Sequence, residues 1–154
     1  MVCLGNICRS PTAEGMLLHL LRQEQPPLPI EVDSAGTADY HVGDAPDKRS
    51  QQAARKRGID ISGLRGRQVE ADDFLRFDLI LGMDRENLRE LQRLRPAKSR
   101  AEVKLLMDYA PQAGREVPDP YYGDAAAFEK VLDLTAAASR GLIESLKTSL
   151  QNRA

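Results

Sequence analysis

A cysteine and an arginine stand near the start of this chain with five residues between them, in Cys3-Leu4-Gly5-Asn6-Ile7-Cys8-Arg9, and Ser10 and Pro11 follow at once. That spacing suits a tetrahedral dianion. A loop wound tightly between a strand and a helix turns backbone amides inward, and the helix start adds positive potential. Gly5 and Asn6 tolerate the positive φ values such winding requires. The planar fork of Arg9 would grip two phosphate oxygens, where a lysine would offer only a point charge. The same positive surroundings favour a thiolate at Cys3, which would make it a nucleophile. Ser10 is placed to donate a hydrogen bond to that sulfur and ease its departure.

Alone, the cysteine-arginine spacing is a weak signal, because it arises by chance and a cysteine near a terminus is more often inert. A zinc site would have to recruit His19 and His41 to Cys3 and Cys8, at spacings that match no usual zinc pattern. The glycine-rich lysine loop of nucleotide-binding proteins is absent. A second centre lies far along the chain, in Val117-Pro118-Asp119-Pro120-Tyr121-Tyr122-Gly123. An aspartate between prolines is commonly just a turn residue. Its functional reading is a carboxyl group on a stiffened loop, held over the phosphate to protonate a leaving oxygen and later deprotonate water. Tyr121 and Tyr122 would form an aromatic wall for a phosphoaryl group.

The elements that must position these residues are legible as an alternation. Ser10 and Pro11 predict a helix opening, with serine as the cap, and apolar Ala13, Leu17, Leu20 and Leu21 carry the helix to about residue 24, before Pro26. Residues 30–34 read as a short strand. A helix is expected over 47–57, closed by Gly58. Residues 78–81 read as a buried strand, followed by a helix capped by Asp84 and carrying Leu88, Leu91 and Leu94. Another strand is expected over 103–106, then a long loop over 107–123. Asp124 caps a final helix to about residue 146, burying Phe128, Val131, Leu132, Leu134, Leu142 and Leu146. Strand and helix alternate, which predicts a parallel sheet covered on both faces, with the ligand beyond the carboxyl ends of the strands.

At 154 residues, with a formal net charge of -1 and a pI near 6.1, the expectation is one α/β domain over residues 1–154. No global basic field favours nucleic acid or an anionic membrane. No apolar run approaches the roughly 18 residues of a spanning helix, and the first residues lack the order of a signal peptide, which points to a cytoplasmic address. Two cysteines are too few for a disulfide framework.

Residues 2–14, VCLGNICRSPTAE, together with DPYY at 119–122 resemble the low-molecular-weight protein tyrosine phosphatases. Landmarks DSAGT at 33–37, PDKRS at 46–50, GRQV at 66–69, and FDLI at 77–80 with Met83 and Asp84 match in order, so the resemblance spans nearly the whole chain. It implies a four-stranded parallel sheet with helices on both faces and a phosphate-binding loop after the first strand. It also implies hydrolysis of phosphotyrosine in a protein substrate through a cysteinyl-phosphate, with no metal or cofactor. Carried over residue by residue, Cys3 is the nucleophile, Arg9 the transition-state clamp and Asp119 the general acid and base. The amides of Leu4, Gly5, Asn6, Ile7, Cys8 and Arg9 form the phosphate cradle. Asn6, Ser10 and Ser34 support the loop, while Tyr40, His41, Tyr121 and Tyr122 line the substrate cleft.

Two positions depart from the family pattern. Members usually carry several apolar strand residues before the cysteine, whereas only Met1 and Val2 precede Cys3 here; the expectation is a stunted central strand or a start further upstream. Many members also carry a histidine where Leu64 stands, which predicts weaker support of Asn6. Arsenate reductases of similar fold pass electrons through further cysteines, and none follows Cys8. Protein-arginine phosphatases carry threonine at the position of Ile7 and lack the tyrosine pair. A phosphate-recognition module without turnover is the reading from another class.

Overall fold

Val2 and Cys3 point to opposite faces of a sheet, as neighbours in a strand must, and each is buried in a different apolar cluster. The computed structural model describes residues 1–112 and 115–153. Its four parallel strands are β1 (Val2–Cys3), β2 (Ala35–Gly36), β3 (Leu79–Gly82) and β4 (Glu102–Leu105), ordered β2-β1-β3-β4. β1 pairs Val2 with Ala35 on one side and with Gly82 on the other, so two residues hold the centre of the sheet. The stunted strand therefore pairs with both neighbours.

Among the described residues, five helices enclose the sheet: α1 (Arg9–Leu21), α2 (Lys48–Arg55), α3 (Asp73–Arg76), α4 (Arg85–Leu94) and α5 (Ala125–Arg153). On one face, α1 and α5 pack Ala13, Leu17, Val131 and Leu142 against Cys3 and Leu81. On the other, Phe74 of α3 and Leu91 of α4 cover Val2 and Ile80. α2 lies outside α1 and α5, where Ala53 and Ala54 meet Met16, Phe128 and Leu132. This is the expected α/β arrangement with helices on both faces. Among the described residues no helix is long and apolar enough to cross a membrane.

Several expected elements shift. The strand foreseen at 30–34 lies instead at Ala35–Gly36, because a parallel ladder can form only beside β1: the Ala35 amide donates to the Met1 carbonyl at 3.0 Å and that of Thr37 to Cys3 at 2.9 Å. α1 begins at Arg9, with Cys8 in the capping position and no side-chain cap, and ends at Leu21. Ser10 is thus not the cap. Pro11 still falls in the first turn, where its missing donor has no intrahelical acceptor. Asp47 caps α2 by accepting from the Arg49 amide at 2.8 Å, and Gly58 takes the left-handed φ of 77°. Asp84 caps α4 in a reciprocal box with Asn87. α3 was not foreseen, since four residues carry too little periodicity to read. The last strand is Glu102–Leu105, and a 3-10 turn at Leu106–Tyr109 opens the long loop. The Asp124 carboxylate accepts from the Ala127 amide at 3.2 Å at the start of α5, which outruns its expected end at 146. Leu146 is only partly buried there.

α5 passes the 3-10 turn at Gly141, where a β-carbon would stand 1.8 Å from the Tyr109 carbonyl oxygen. Helix propensity favours alanine over glycine by about 1 kcal/mol, but a backbone clash of this kind costs more, with overpacking typically at about 1–3 kcal/mol. Gly141→Ala is therefore expected to lower the urea midpoint of unfolding. An unchanged or raised midpoint would show that the helix crossing is looser than described.

Candidate active site

The loop from β1 into α1 closes around the Cys3 sulfur. The Asn6 amide donates to Sγ at 3.2 Å and the Ser10 hydroxyl lies 3.0 Å from it. Asn6 adopts a φ of 58°, a conformation asparagine tolerates better than most residues, and its side chain is tied at every polar atom. Its Nδ2 donates to Ser10 Oγ at 2.8 Å and to Ser34 Oγ at 3.0 Å, while its Oδ1 accepts from the Arg67 amide at 3.0 Å. Leu64 takes no part in this support and packs instead against the cluster between α1, α2 and α5. The expected weakness at Asn6 is thus corrected, because a backbone amide supplies the donor. Among the described residues, the amides of Gly5, Ile7, Cys8 and Arg9 donate to no protein acceptor.

Arg9 is buried beside this loop with its charge compensated. Its Nη1 donates to Asp84 Oδ2 at 2.6 Å and to the Val117 carbonyl at 3.0 Å, and its Nη2 lies 3.8 Å from Asp119 Oδ2. Burial alone would lower its pKa, but the Asp84 hydrogen bond and the charges of Cys3, Asp84 and Asp119 raise it. Cys8, by contrast, is a buried free thiol. Burial pushes its thiol up to about 12, with only a partial opposing effect from the Ser50 hydroxyl.

Asp119 reaches the site from the long loop, whose base is fixed by the Val117 amide donating to the Met83 carbonyl at 2.8 Å. Its Oδ1 accepts from the Tyr121 amide at 3.1 Å. A cleft of about 260 Å³ opens above the sulfur, lined by Cys3, Arg9, Asp119, Tyr40, His41 and the Tyr121-Tyr122 pair, with Leu4, Gly5, Ile7 and Cys8 along the loop. The two tyrosine rings meet edge to face with centroids 4.9 Å apart. His41 Nδ1 lies 3.1 Å from Asp44 Oδ2. Tyr40 and Tyr122 stand 72% and 95% exposed, so they rim the cleft without being fixed by packing. The cleft thus brings together all the residues expected to line it, while Asn6, Ser10 and Ser34 lie behind its wall. A larger cavity, about 340 Å³, opens at the amino-terminal end of the strands among Leu17, Val32, Phe77 and Leu146. It contains neither Cys3 nor Arg9.

Three contributors escaped the sequence reading. Asp84 is both the cap of α4 and the anchor of Arg9, and capping alone accounts for its identity in a sequence. Glu14 is buried on α1 and accepts from Ser34 Oγ at 2.6 Å, extending the chain from Cys3 through Ser10, Asn6 and Ser34. Burial raises its carboxyl pKa against the opposing Ser34 hydrogen bond. Arg67 carries the amide that holds Asn6, while its guanidinium forks onto Asp73 at 2.9 and 3.0 Å and reaches Asp33 at 3.2 Å. A signal existed for Glu14 alone: a carboxylate at helical spacing among apolar neighbours needs a buried partner.

The cysteine loop, the buried arginine and the opposing carboxylate all fall within one family match. The model of the low molecular weight phosphotyrosine protein phosphatases covers residues 1–152. The chain belongs to that family. A Synechocystis protein bearing the family name is 48% identical over 153 residues, 98% of this chain and 97% of that one. The human low molecular weight phosphotyrosine protein phosphatase is 40% identical over 145 residues, covering 93% and 91%. The crystal structure of a protein tyrosine phosphatase from Entamoeba histolytica aligns with a TM-score of 0.90 at 36% identity, over 96% of this chain and 95% of that one. Membership therefore extends across sheet, helices and both loops of the site.

Asn6→Gly keeps the positive φ and removes only the side-chain bonds, so it separates winding from support. It is expected to lower kcat for an aryl phosphate by roughly tenfold or more, since a misplacement of about 1 Å at a reacting group costs up to about 10²-fold. Leu64→Ala is expected to leave kcat within about threefold, because Leu64 only packs and core truncation acts on stability. Equal losses in the two variants, measured in steady-state phosphate release, would contradict this division.

Proposed function

We propose that the chain is one catalytic domain over residues 1–154 that hydrolyses phosphotyrosine in protein substrates, with Cys3 as nucleophile, Arg9 as phosphate clamp and Asp119 as general acid and base. The observation that carries this is the convergence of Sγ, the Arg9 fork and the Asp119 carboxylate on one cleft walled by tyrosines. In the first step the Cys3 thiolate attacks phosphorus in line, the bond from phosphorus to the aryl oxygen breaks, and Asp119 passes its proton to the departing phenolate. Arg9 and the amides of Leu4 to Arg9 hold the equatorial oxygens as charge redistributes. In the second step Asp119 takes a proton from water, the resulting hydroxide attacks phosphorus, and the sulfur leaves as a thiolate. Ser10 and the Asn6 amide, already bonded to Sγ, stabilise that leaving group. Phosphate then departs.

The electrophile is activated by the Arg9 cation and oriented amides, so the reaction calls for no metal or cofactor. The cleft rim of Tyr40, His41, Tyr121 and Tyr122 fits a flat phosphoaryl ring on a protein surface. Neither nucleic acid nor a membrane has a role in this reading, and a cytoplasmic location suits a thiolate enzyme without disulfides.

A phenolate leaves poorly at neutral pH, and a positioned acid is worth roughly 10²- to 10⁴-fold. Asp119→Ala is therefore expected to depress kcat for phosphotyrosine by about that factor with a smaller change in KM. The loss in kcat/KM, which reports the step that releases the phenol, should shrink along a series of aryl phosphates with more acidic phenols, which need less protonation to depart. A uniform loss across the series would place Asp119 in binding or folding, and an unimpaired variant would remove it from the chemistry.

A further inference from the structure

Arg49, in the first turn of α2, has the outward features of an ordinary surface ion pair. Its side chain is 46% exposed and its carboxylate partner, Asp47, is two residues away. Exposed pairs of this kind contribute little to stability. Yet the guanidinium uses its whole fork. Nε and Nη2 chelate the two oxygens of Asp47 at 3.0 and 2.9 Å, while Nη1 crosses to the Tyr121 carbonyl at 3.0 Å. The guanidinium carbon also sits 5.4 Å from the Tyr121 ring centroid and 4.7 Å from that of Phe128. Arg49 is thus wedged between the tip of the Asp119 loop and the first turns of α5.

The other end of this wedge is tied to the phosphate-binding loop. The Asp47 amide donates to the Ile7 carbonyl at 2.8 Å, and the Ser50 hydroxyl sits beside the Cys8 sulfur. The first turn of α2 therefore holds the phosphate-binding loop through Asp47 and Ser50 and the Asp119 loop through Arg49. Asp119 lies midway between two fixed points of its own loop. Val117 is held by Met83 and Arg9. Tyr121 is held by Arg49 at its carbonyl, and its amide donates to the Asp119 carboxylate. Pro118 and Pro120 stiffen the two intervening links. Removing the Arg49 anchor takes away the tie at Tyr121 and leaves the carboxylate held by the Val117 bonds and the buried Pro120 ring.

We propose that Arg49 is a positioning residue that sets the distance of the Asp119 carboxylate from the phosphate-binding loop, and so governs proton delivery to the leaving group. The proposal rests on the reading of Asp119 as general acid. Arg49 itself touches no reacting atom, so its loss should mimic a misplaced acid and spare both the nucleophile and the phosphate clamp.

The test measures kcat/KM, which reports phosphoryl transfer to Cys3 and not the later hydrolysis common to all substrates, for Arg49→Met, Arg49→Lys, Asp119→Ala and the double variant Arg49→Met/Asp119→Ala on phenyl phosphate and on 2,4-dinitrophenyl phosphate. Methionine keeps an apolar stem against Phe128 and loses the fork. Lysine keeps the charge but cannot chelate Asp47 and reach Tyr121 together. For phenyl phosphate, Arg49→Met is expected to lose roughly 10- to 100-fold, the scale of a small misplacement. With dinitrophenyl phosphate, whose phenol departs unaided, it should stay within about threefold of wild type. The double variant should be no slower than Asp119→Ala, and Arg49→Lys should recover little. A leaving-group-dependent loss in Asp119→Ala beside a uniform loss in Arg49→Met, or losses that multiply in the double variant, would overturn the proposal and leave the acid assignment standing. Full recovery by lysine would also overturn it, by reducing the role to charge. A uniform loss in Asp119→Ala would instead remove the acid assignment and the proposal with it. If Arg49→Met loses its cooperative unfolding transition, Arg49→Lys carries the same comparison, with a uniform loss again counting against the proposal.

Discussion

Asn6 holds a φ of 58° inside a loop of six residues, and the rest of the site depends on that one constraint being met. A loop that turns its amides toward a common centre has to include a left-handed residue, and for a non-glycine residue that conformation carries a cost. Here the side chain repays it through three hydrogen bonds, to Ser10, Ser34 and the Arg67 amide. These bonds place the Asn6 amide and the Ser10 hydroxyl on the Cys3 sulfur. They also bind the loop to β2 through Ser34 and to α1 through Glu14. The sheet serves this arrangement: both neighbours of β1 pair with it, and the loop begins at its carboxyl end.

Burying Arg9 raises a second problem, since an unpaired buried charge is strongly unfavourable. Asp84 answers it at 2.6 Å while its other oxygen caps α4 at 2.8 Å, so one carboxylate fixes both a helix and the buried guanidinium. Asp119 lies at 3.8 Å on the opposite nitrogen, a looser contact from a more exposed position. The asymmetry fits their tasks. A permanent anchor should be close and shielded, whereas the acid and base role proposed for Asp119 requires proton exchange with substrate and water.

The elements legible in the sequence were those whose chemistry is local. Cys3, Arg9 and Asp119 stood out because their types and spacings suit a phosphate, and the helix starts at Asp84 and Asp124 followed from capping. Contacts set by distant partners were not legible. Ser10 looked like a cap because serine before proline commonly is one, but the sulfur and Asn6 claim its hydroxyl. β2 was misplaced because apolar alternation at 30–34 says nothing of where a partner strand begins. Leu64 suggested a missing support, yet Arg67 supplies it from its backbone, which no side-chain pattern encodes. Glu14 and the contact of Asp84 with Arg9 were hidden for the same reason, since each decisive bond is made with a residue far away along the chain.

The central claim, that this loop makes Cys3 a covalent carrier of phosphate, is tested most directly by mass spectrometry of acid-quenched reactions within the first turnover. With a dinitrophenyl phosphate substrate and the Asp119→Ala variant, formation of the intermediate proceeds without the acid while its hydrolysis slows, so a single phosphoryl group should accumulate. Peptide mapping is predicted to place it on Cys3, and Cys3→Ser should abolish both the adduct and turnover. A phosphoryl group mapped to any other residue, or steady turnover retained in Cys3→Ser, would contradict the account.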